Sequence, residues 1–390
     1  MINIANPKDC CGCTACASIC SHDAITMEPD TLGFLYPKVN ESKCVECGLC
    51  EKVCQFNDNY DHSLNLTKPI AYAARHKDID EVMKSRSGAT FVAISDFILE
   101  QGGVIYGAGY KDHFRVVHKR ATTKEERDEF RGSKYVQSDL TGVFRQVKVD
   151  LKNGLSVLFS GTPCQTAGLN AYIDKKLRRK LLLVDIVCHG VPSPSIWENY
   201  IEYLEKKQND KISMVCFRDK SKFGWIAHKE TYKFTHGHEI SRCIFTSLFY
   251  KNIMLRQSCG NCHFTNTTRP SDITLADFWG WENNVPGFND DNKGVSLVLL
   301  NTELGKKIFS DVRYVLNTNE VSLNNSLQPN LQHPTEMHPN RIDFETTYKS
   351  RGFLYAMQKY GDMSSVSVLK AKYKMIIKLL KNQVKMIIHR

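Results

Sequence analysis

Short apolar runs rich in β-branched residues alternate with segments of helical period along most of the chain. Ile70 to Arg75, Val104 to Tyr106, Ser156 to Ser160, Leu181 to Val187 and Val295 to Leu300 are expected strands. The Leu181–Val187 run is apolar throughout except at Asp185, as in a strand covered on both faces. Thr90 to Glu100 carries apolar residues at helical spacing and stops at Gly102-Gly103, and Gln165 to Tyr172 forms a second expected helix. Such alternation predicts a mixed α/β or α+β body. Ile212 to Ile244 is β-rich and turns through Thr235-His-Gly-His-Glu239, which predicts a hairpin. Ala24 to Met27 and Phe34 to Pro37 predict a smaller hairpin near the N-terminus. Asn57 to Pro69 is polar and without period, the pattern of a linker, and Asn317 to Arg341 is rich in Asn and Pro and predicts an irregular excursion. At the other end, Leu369, Tyr373, Ile376, Leu380, Val384 and Ile387 recur every three or four residues among lysines, as in a basic amphipathic helix.

The expected domains are therefore residues 1–56, a linker over 57–69, the two parts of a larger body over 70–150 and 151–345, and the basic helix over 366–390. The 390 residues, 42% hydrophobic and 24% charged, suit a folded globular protein and exclude disordered and collagen-like classes. No apolar run is long enough to cross a bilayer, and the first residues lack a basic segment leading into an apolar core, so a cytoplasmic location is expected. The net charge of +10 is uneven: Val366 to Arg390 holds six lysines, one arginine and no acid. The near-neutral remainder makes nucleic acid a poor partner.

Fifteen cysteines change the picture, because nine of them fall within the first 54 residues. Cys10, Cys13, Cys16 and Cys20 are spaced C-x2-C-x2-C-x3-C, and Cys44, Cys47, Cys50 and Cys54 repeat that spacing. The short steps wrap three thiolates around one 4Fe-4S cubane, and the fourth cysteine ligates the other cluster. The expected sets are Cys10, Cys13 and Cys16 with Cys54, and Cys44, Cys47 and Cys50 with Cys20. This resembles the bacterial two-cluster ferredoxin module, although Ser21 and Gln55 stand where proline commonly follows the fourth cysteine. Zinc ribbons need only paired C-x2-C knuckles, fewer than two complete runs provide. Cys11 fits neither register and reads as a bystander.

Four further cysteines sit in chemically suggestive places. Cys164 opens an expected helix, where a thiolate is favoured, and Cys188 follows the buried strand. Cys259 and Cys262 form a lone Cys-Gly-Asn-Cys knuckle. Together they have the donors for a third cluster, while isolated cysteines are also common small core residues. Cys216 and Cys243 take that plain reading.

Several phrases occur in a telling order: Ser87-Gly88-Ala89-Thr90, Gly103-Val-Ile-Tyr-Gly107, Arg131-Gly-Ser-Lys-Tyr-Val-Gln-Ser138, Ser160-Gly-Thr-Pro-Cys-Gln165, Cys188-His-Gly-Val-Pro-Ser193 and Asp272-Ile-Thr-Leu-Ala-Asp-Phe-Trp-Gly280. With the ferredoxin head, they make residues 5 to 300 resemble the coenzyme F-420 hydrogenase/dehydrogenase beta-subunit family. The resemblance implies an iron–sulfur flavoprotein with FAD in its larger α/β domain. It makes Cys164, Cys188, Cys259 and Cys262 candidate ligands of a cluster beside the flavin. Flavin contacts are then expected from Ser87, Gly88, Thr90, Gly107, Ser133, Lys134, Tyr135, Gln137, Ser138, Gly161 and Thr162, with turns around Gly88, Gly107 and Gly161 approaching the pyrophosphate. None of these turns is a G-x-G-x-x-G fingerprint.

His189 is a candidate proton donor to a reduced substrate, with a structural histidine the alternative. Trp279 and Trp281 are candidates to stack near a ring, or core residues. The expected activity is an oxidoreductase passing electrons between a reduced carrier, ferredoxin or the deazaflavin coenzyme F-420, and an organic substrate. The alternative is a non-catalytic electron-transfer subunit of a larger redox complex. Expected partners are a redox protein and a small molecule. The basic helix suits its own body, an acidic partner or an anionic membrane surface.

Overall fold

The computed structural model describes residues 1–361; the basic helix expected over 366–390 lies outside them. The N-terminal lobe contains helix α1 (Ala15–Ile19), strands β1 (Ile25–Pro29) and β2 (Leu35–Val39), and helix α2 (Leu49–Lys52). β1 and β2 form the expected antiparallel hairpin, with Ile25 opposite Val39.

Strand β3 (Asn65–His76) enters the body, followed by α3 (Ile79–Lys84), α4 (Thr90–Glu100), β4 (Val104–Lys111), β5 (Arg115–Ala121), α5 (Lys124–Asp128) and α6 (Val143–Lys152). Next come β6 (Val157–Gly161), α7 (Pro163–Tyr172), β7 (Leu181–Ile186) and α8 (Pro194–Gln208). An excursion follows, of β8 (Ile212–Cys216), α9 (Lys220–Phe223), β9 (Glu230–Phe234), β10 (Glu239–Arg242) and α10 (Ile244–Tyr250). The chain then returns through β11 (Ile273–Asp277), β12 (Ser296–Thr302), α11 (Glu303–Val312) and β13 (Leu316–Val321) to α12 (Arg341–Tyr360), which is kinked at Gly352.

One eight-stranded sheet, ordered β13-β3-β12-β11-β7-β6-β4-β5, organises the body, and both of its expected parts contribute strands. β4, β6, β7 and β11 are parallel, while β5 on one side and β12, β3 and β13 on the other pair antiparallel. Alternate residues of each strand face opposite layers. Leu182 and Val184 join Ile94, Ile98 and Phe309 under α4 and α11. Leu181 and Leu183 face the other way, with Phe144, Val147 and Leu169 of α6 and α7. Asp185 in β7 is fully buried and paired with Arg269 at 2.8 Å, which is what allows a carboxylate in so apolar a strand.

The N-terminal lobe is seated on the body at two places. Ala15 and Val53 enter the core under α6 and α7. Leu32 and Phe34, at the hairpin tip, are buried beside α8 and α10, where Ser193 donates to the Leu32 carbonyl at 2.6 Å.

Three expectations need correction. Residues 57–69 are not a free linker, since β3 begins at Asn65 and Tyr60 is buried with its hydroxyl donating to Thr268 O at 2.6 Å. Ile212 to Ile244 forms a three-stranded sheet rather than a lone hairpin, because β8 also pairs with β9. Asn317 to Val321 is edge strand β13, paired with β3 despite its polar composition; only the residues after it are irregular.

Candidate functional site

In the N-terminal lobe, left-handed residues curl the cysteine loops around two voids. Thr14 and Gly48 hold positive φ immediately before α1 and α2. The first void is lined by Cys10, Cys13, Cys16 and Cys54, with Cys11 also in the wall. The second is lined by Cys20, Cys44, Cys47 and Cys50. These groupings coincide with the two crossed sets expected from spacing. Burial pushes the Cys10, Cys16 and Cys54 thiols up, so leaving them as free thiolates is unfavourable without a metal centre to take the charge.

The body brings its own four cysteines together beside the first void. Cys164 sits in the first turn of α7, after Thr162, whose N–H donates to Gln165 Oε1 at 2.9 Å. Cys188 lies just past the end of β7, and Cys259 and Cys262 belong to and follow a short turn over Gln257–Asn261. The charges of Cys259, Cys164 and Cys262 all act to raise the Cys188 thiol, after burial as the largest cause. Burial also lifts Cys259 to about 12 and Cys262 to about 11. Val191 N–H points at Cys259 Sγ at 3.4 Å.

Cys11 is not a bystander. It is buried in the seam, packed in one cluster with Cys13 and Cys164. The contact from Cys11 holds Cys164 down to about 7. Gly168 of α7 passes so close to Cys13 that a Cβ there would lie 2.7 Å from its sulfur. Among the described residues no three His, Cys, Asp or Glu side chains gather tightly enough for a single metal ion. A cubane spreads its thiolates over the corners of a larger object, and the two four-cysteine voids suit that donor geometry.

The expected flavin residues are dispersed along the carboxyl edge of the parallel strands, and not all are free. Gly107 is inside β4, not in a turn, and its missing side chain makes room for the Phe130 ring, 2.7 Å from a built Cβ. Gln137 spends its amide on Cys11 O at 2.9 Å and on the Arg256 guanidinium at 3.0 Å. Lys134 donates to the Glu129 and Arg131 carbonyls, and burial lowers it to about 7. Ser138 bridges His118 at 2.8 Å and Gln165 at 3.0 Å. Ser133 is exposed. Ser87 donates to Val295 O, and Gly88 N–H to Ser296 Oγ, which docks this loop on β12. Gly161 ends β6 against Gln165, and Thr162 Oγ1 lies 3.2 Å from Cys164 Sγ.

Around Thr90 the fold gathers a group of buried charged side chains that sequence reasoning missed. α4 starts from Ala89 with no side-chain cap, and the Thr90 hydroxyl is buried without a partner. Arg86 and Arg218 share one carboxylate, Asp277, through Arg86 Nε at 3.7 Å and Arg218 Nη1 at 2.5 Å; neither Nε has a hydrogen-bond partner, and Arg86 Nε makes only that longer ion contact. Lys220 is buried nearby on Val82 O and Ser87 O, and burial, then Arg86, lowers it to about 7. Tyr135 OH accepts from Arg218. Trp279 is part-exposed and stacked on buried Trp225, ring centroids 4.5 Å apart, under the Arg218 guanidinium. Trp281 is core. His189 is held by Asn252 Oδ1 at 2.7 Å and packed against the Phe249 and Tyr250 rings, the surroundings of a structural histidine. Arginines and lysines scattered from 86 to 220 carry no spacing signal, so only the fold unites them.

Residues 9–57 match the 4Fe-4S dicluster domain family. Residues 154–322 match the family described as coenzyme F420 hydrogenase/dehydrogenase, at the C terminus of its beta subunit. No curated protein matches the chain. Among solved structures, the xenon-derivatised F420-reducing NiFe hydrogenase complex from Methanosarcina barkeri is similar at TM-score 0.45 and 16% identity, over 75% of this chain and 92% of that one. No helix among the described residues is long and apolar enough to cross a membrane.

Proposed function

From a chain that joins a 4Fe-4S dicluster domain to the C-terminal region of a coenzyme F420 hydrogenase/dehydrogenase beta subunit, we propose an iron–sulfur flavoprotein oxidoreductase with three clusters and one FAD. The observation that carries this reading is the gathering of Cys164, Cys188, Cys259 and Cys262 beside the dicluster lobe, with Cys11 touching both Cys13 and Cys164. Clusters supply one-electron transfer, and a flavin converts between one- and two-electron chemistry.

The residues divide the work. Cys10, Cys13, Cys16 and Cys54 hold one cluster, Cys20, Cys44, Cys47 and Cys50 the second, and the four body cysteines the third. The uncapped start of α4, the Thr90 hydroxyl, Arg86, Arg218 and Lys220 receive the dinucleotide's pyrophosphate, since this group has more buried cations than carboxylates. Trp279 and Tyr250 offer exposed ring faces at its rim. The physiological carrier is a ferredoxin or a reduced deazaflavin, and the acceptor an organic molecule. His189 Nε2 faces Asn252, which argues for a positioning role rather than proton delivery.

Anaerobic purification with iron, sulfide and flavin counted per chain tests this reading. About twelve irons and one FAD are expected. About eight irons and no recoverable flavin would reduce the protein to a dicluster wire serving a partner enzyme.

A further inference from the structure

Arg256 is fully buried, yet among the described residues it has no carboxylate within ion-pair distance. Its Nε donates to Cys10 O at 2.8 Å, Nη1 to Gln137 Oε1 at 3.0 Å, and Nη2 to Leu35 O at 3.0 Å. Nη2 also faces Cys10 Sγ at 3.6 Å, and the guanidinium lies 4.1 Å over the Tyr36 ring. The fit is close: a side chain at Gly12 would come 2.8 Å from Nη1. Neutral acceptors position this cation but do not neutralise it, and an unpaired buried charge is costly. The negative charge it faces is that of the thiolates around the first void. The same residue belongs to the third cysteine group as well, since its own carbonyl accepts from Cys259 N–H at 3.0 Å.

The second void has no fully buried guanidinium beside it among the described residues; its neighbours are the Met1 ammonium, paired with Glu51 at 3.3 Å, and the Ile2 and Ala24 N–H groups, which donate to Cys50 Sγ at 3.3 Å and Cys20 Sγ at 3.4 Å. Arg145 approaches it through the Cys20 carbonyl at 2.8 Å, but its side chain is 45% exposed and paired with Asp23 at 2.8 Å. Solvent and that carboxylate screen its charge, whereas Arg256 acts in a low-dielectric interior.

We propose that Arg256 is a positioning residue that raises the reduction potential of the cluster held by Cys10, Cys13, Cys16 and Cys54 above the value that cluster would have without it. Positive charge and N–H···S bonding both favour the reduced, more negative cluster. The proposal rests on the cluster assignment above.

The test is an anaerobic redox titration of the loaded full-length chain followed by electron paramagnetic resonance, with Arg256→Gln and Arg256→Lys compared with the parent. One cluster's midpoint should fall in both variants, further in Arg256→Gln, with the other midpoints unmoved. A lysine keeps the charge but cannot span Cys10 O, Leu35 O and Cys10 Sγ at once, so its fall is partial. If Arg256→Gln fails to load iron, Arg256→Lys decides: a lowered midpoint supports the proposal and an unchanged one overturns it. Loaded variants whose midpoints all match the parent would overturn it while leaving the cluster assignment intact. A parent chain that takes up no iron would overturn both.

Discussion

Replacing Gly168 by alanine probes the joint between the two lobes with a single methyl group. Gly168 lies inside α7, where a glycine is normally a weakness, and alanine should stabilise the helix by ~1 kcal/mol. The joint opposes this. A Cβ there would stand 2.7 Å from Cys13 Sγ and 2.9 Å from Cys13 Cβ. Cys13 lines the first void with Cys11 and Ala15, so yielding to the methyl group moves its sulfur from the position proposed for cluster ligation. Overpacking of this kind costs about 1–3 kcal/mol. The net expectation is a loss of about 0–2 kcal/mol from the difference of these terms. It should be accompanied by reduced iron at one cluster, because the displaced atom is a proposed ligand. Thermal unfolding of the loaded protein and iron per chain read both effects. A Gly168→Ala protein that gains stability and keeps its full iron would refute the close seating of Cys13 on α7.

Other perturbations follow from the same geometry. Asp185→Asn should cost about 3–5 kcal/mol in denaturant unfolding, because Arg269 is left charged and unpaired in the core; a loss below about 1 kcal/mol would mean that the pair is not buried as described. Burial depresses His118 from 6.5 to about 4, so the folded state stays neutral where the unfolded state takes up a proton. Its contribution is complete above the unfolded value and is lost as pH falls from 6.5 toward 4, by up to roughly 3 kcal/mol. His118→Asn should flatten part of that slope, with His228, shifted the same way, supplying the rest. Lys220, lowered to about 7, should regain its proton against a pyrophosphate, so flavin affinity should fall as pH rises above 7. Lys220→Met should bind more weakly with a flatter profile, and a pH-independent parent titration would remove Lys220 from the site.

The ligand spacing of the dicluster lobe was legible in the chain because it is a local property. Two runs of C-x2-C-x2-C-x3-C bring their thiols around a void, and the crossing of the fourth cysteines is what the resemblance to two-cluster ferredoxins implies. The parallel strands were legible for a similar reason, since Leu181–Ile186 can only be that apolar if both faces are covered. Strand β13 was not, because an edge strand needs only backbone pairing, which Asn317 and Asn319 supply as well as valine would.

What the tertiary structure alone decided is the neighbourhood of each group. Cys164, Cys188 and the Cys259–Cys262 knuckle are far apart in the chain. They meet only because the turn over Gln257–Asn261 folds back against the segments that leave the carboxyl ends of β6 and β7. Gly107 looked like a turn and is a strand residue hollowed for Phe130; Cys11 looked idle and is the contact between two cysteine groups. Arg256 has no motif at all. Its part depends on Cys10, Leu35, Gln137 and Tyr36 converging on one buried guanidinium. Spacing along the chain encodes which thiols can share a metal centre, whereas burial and unpaired charge exist only once distant segments exclude water together.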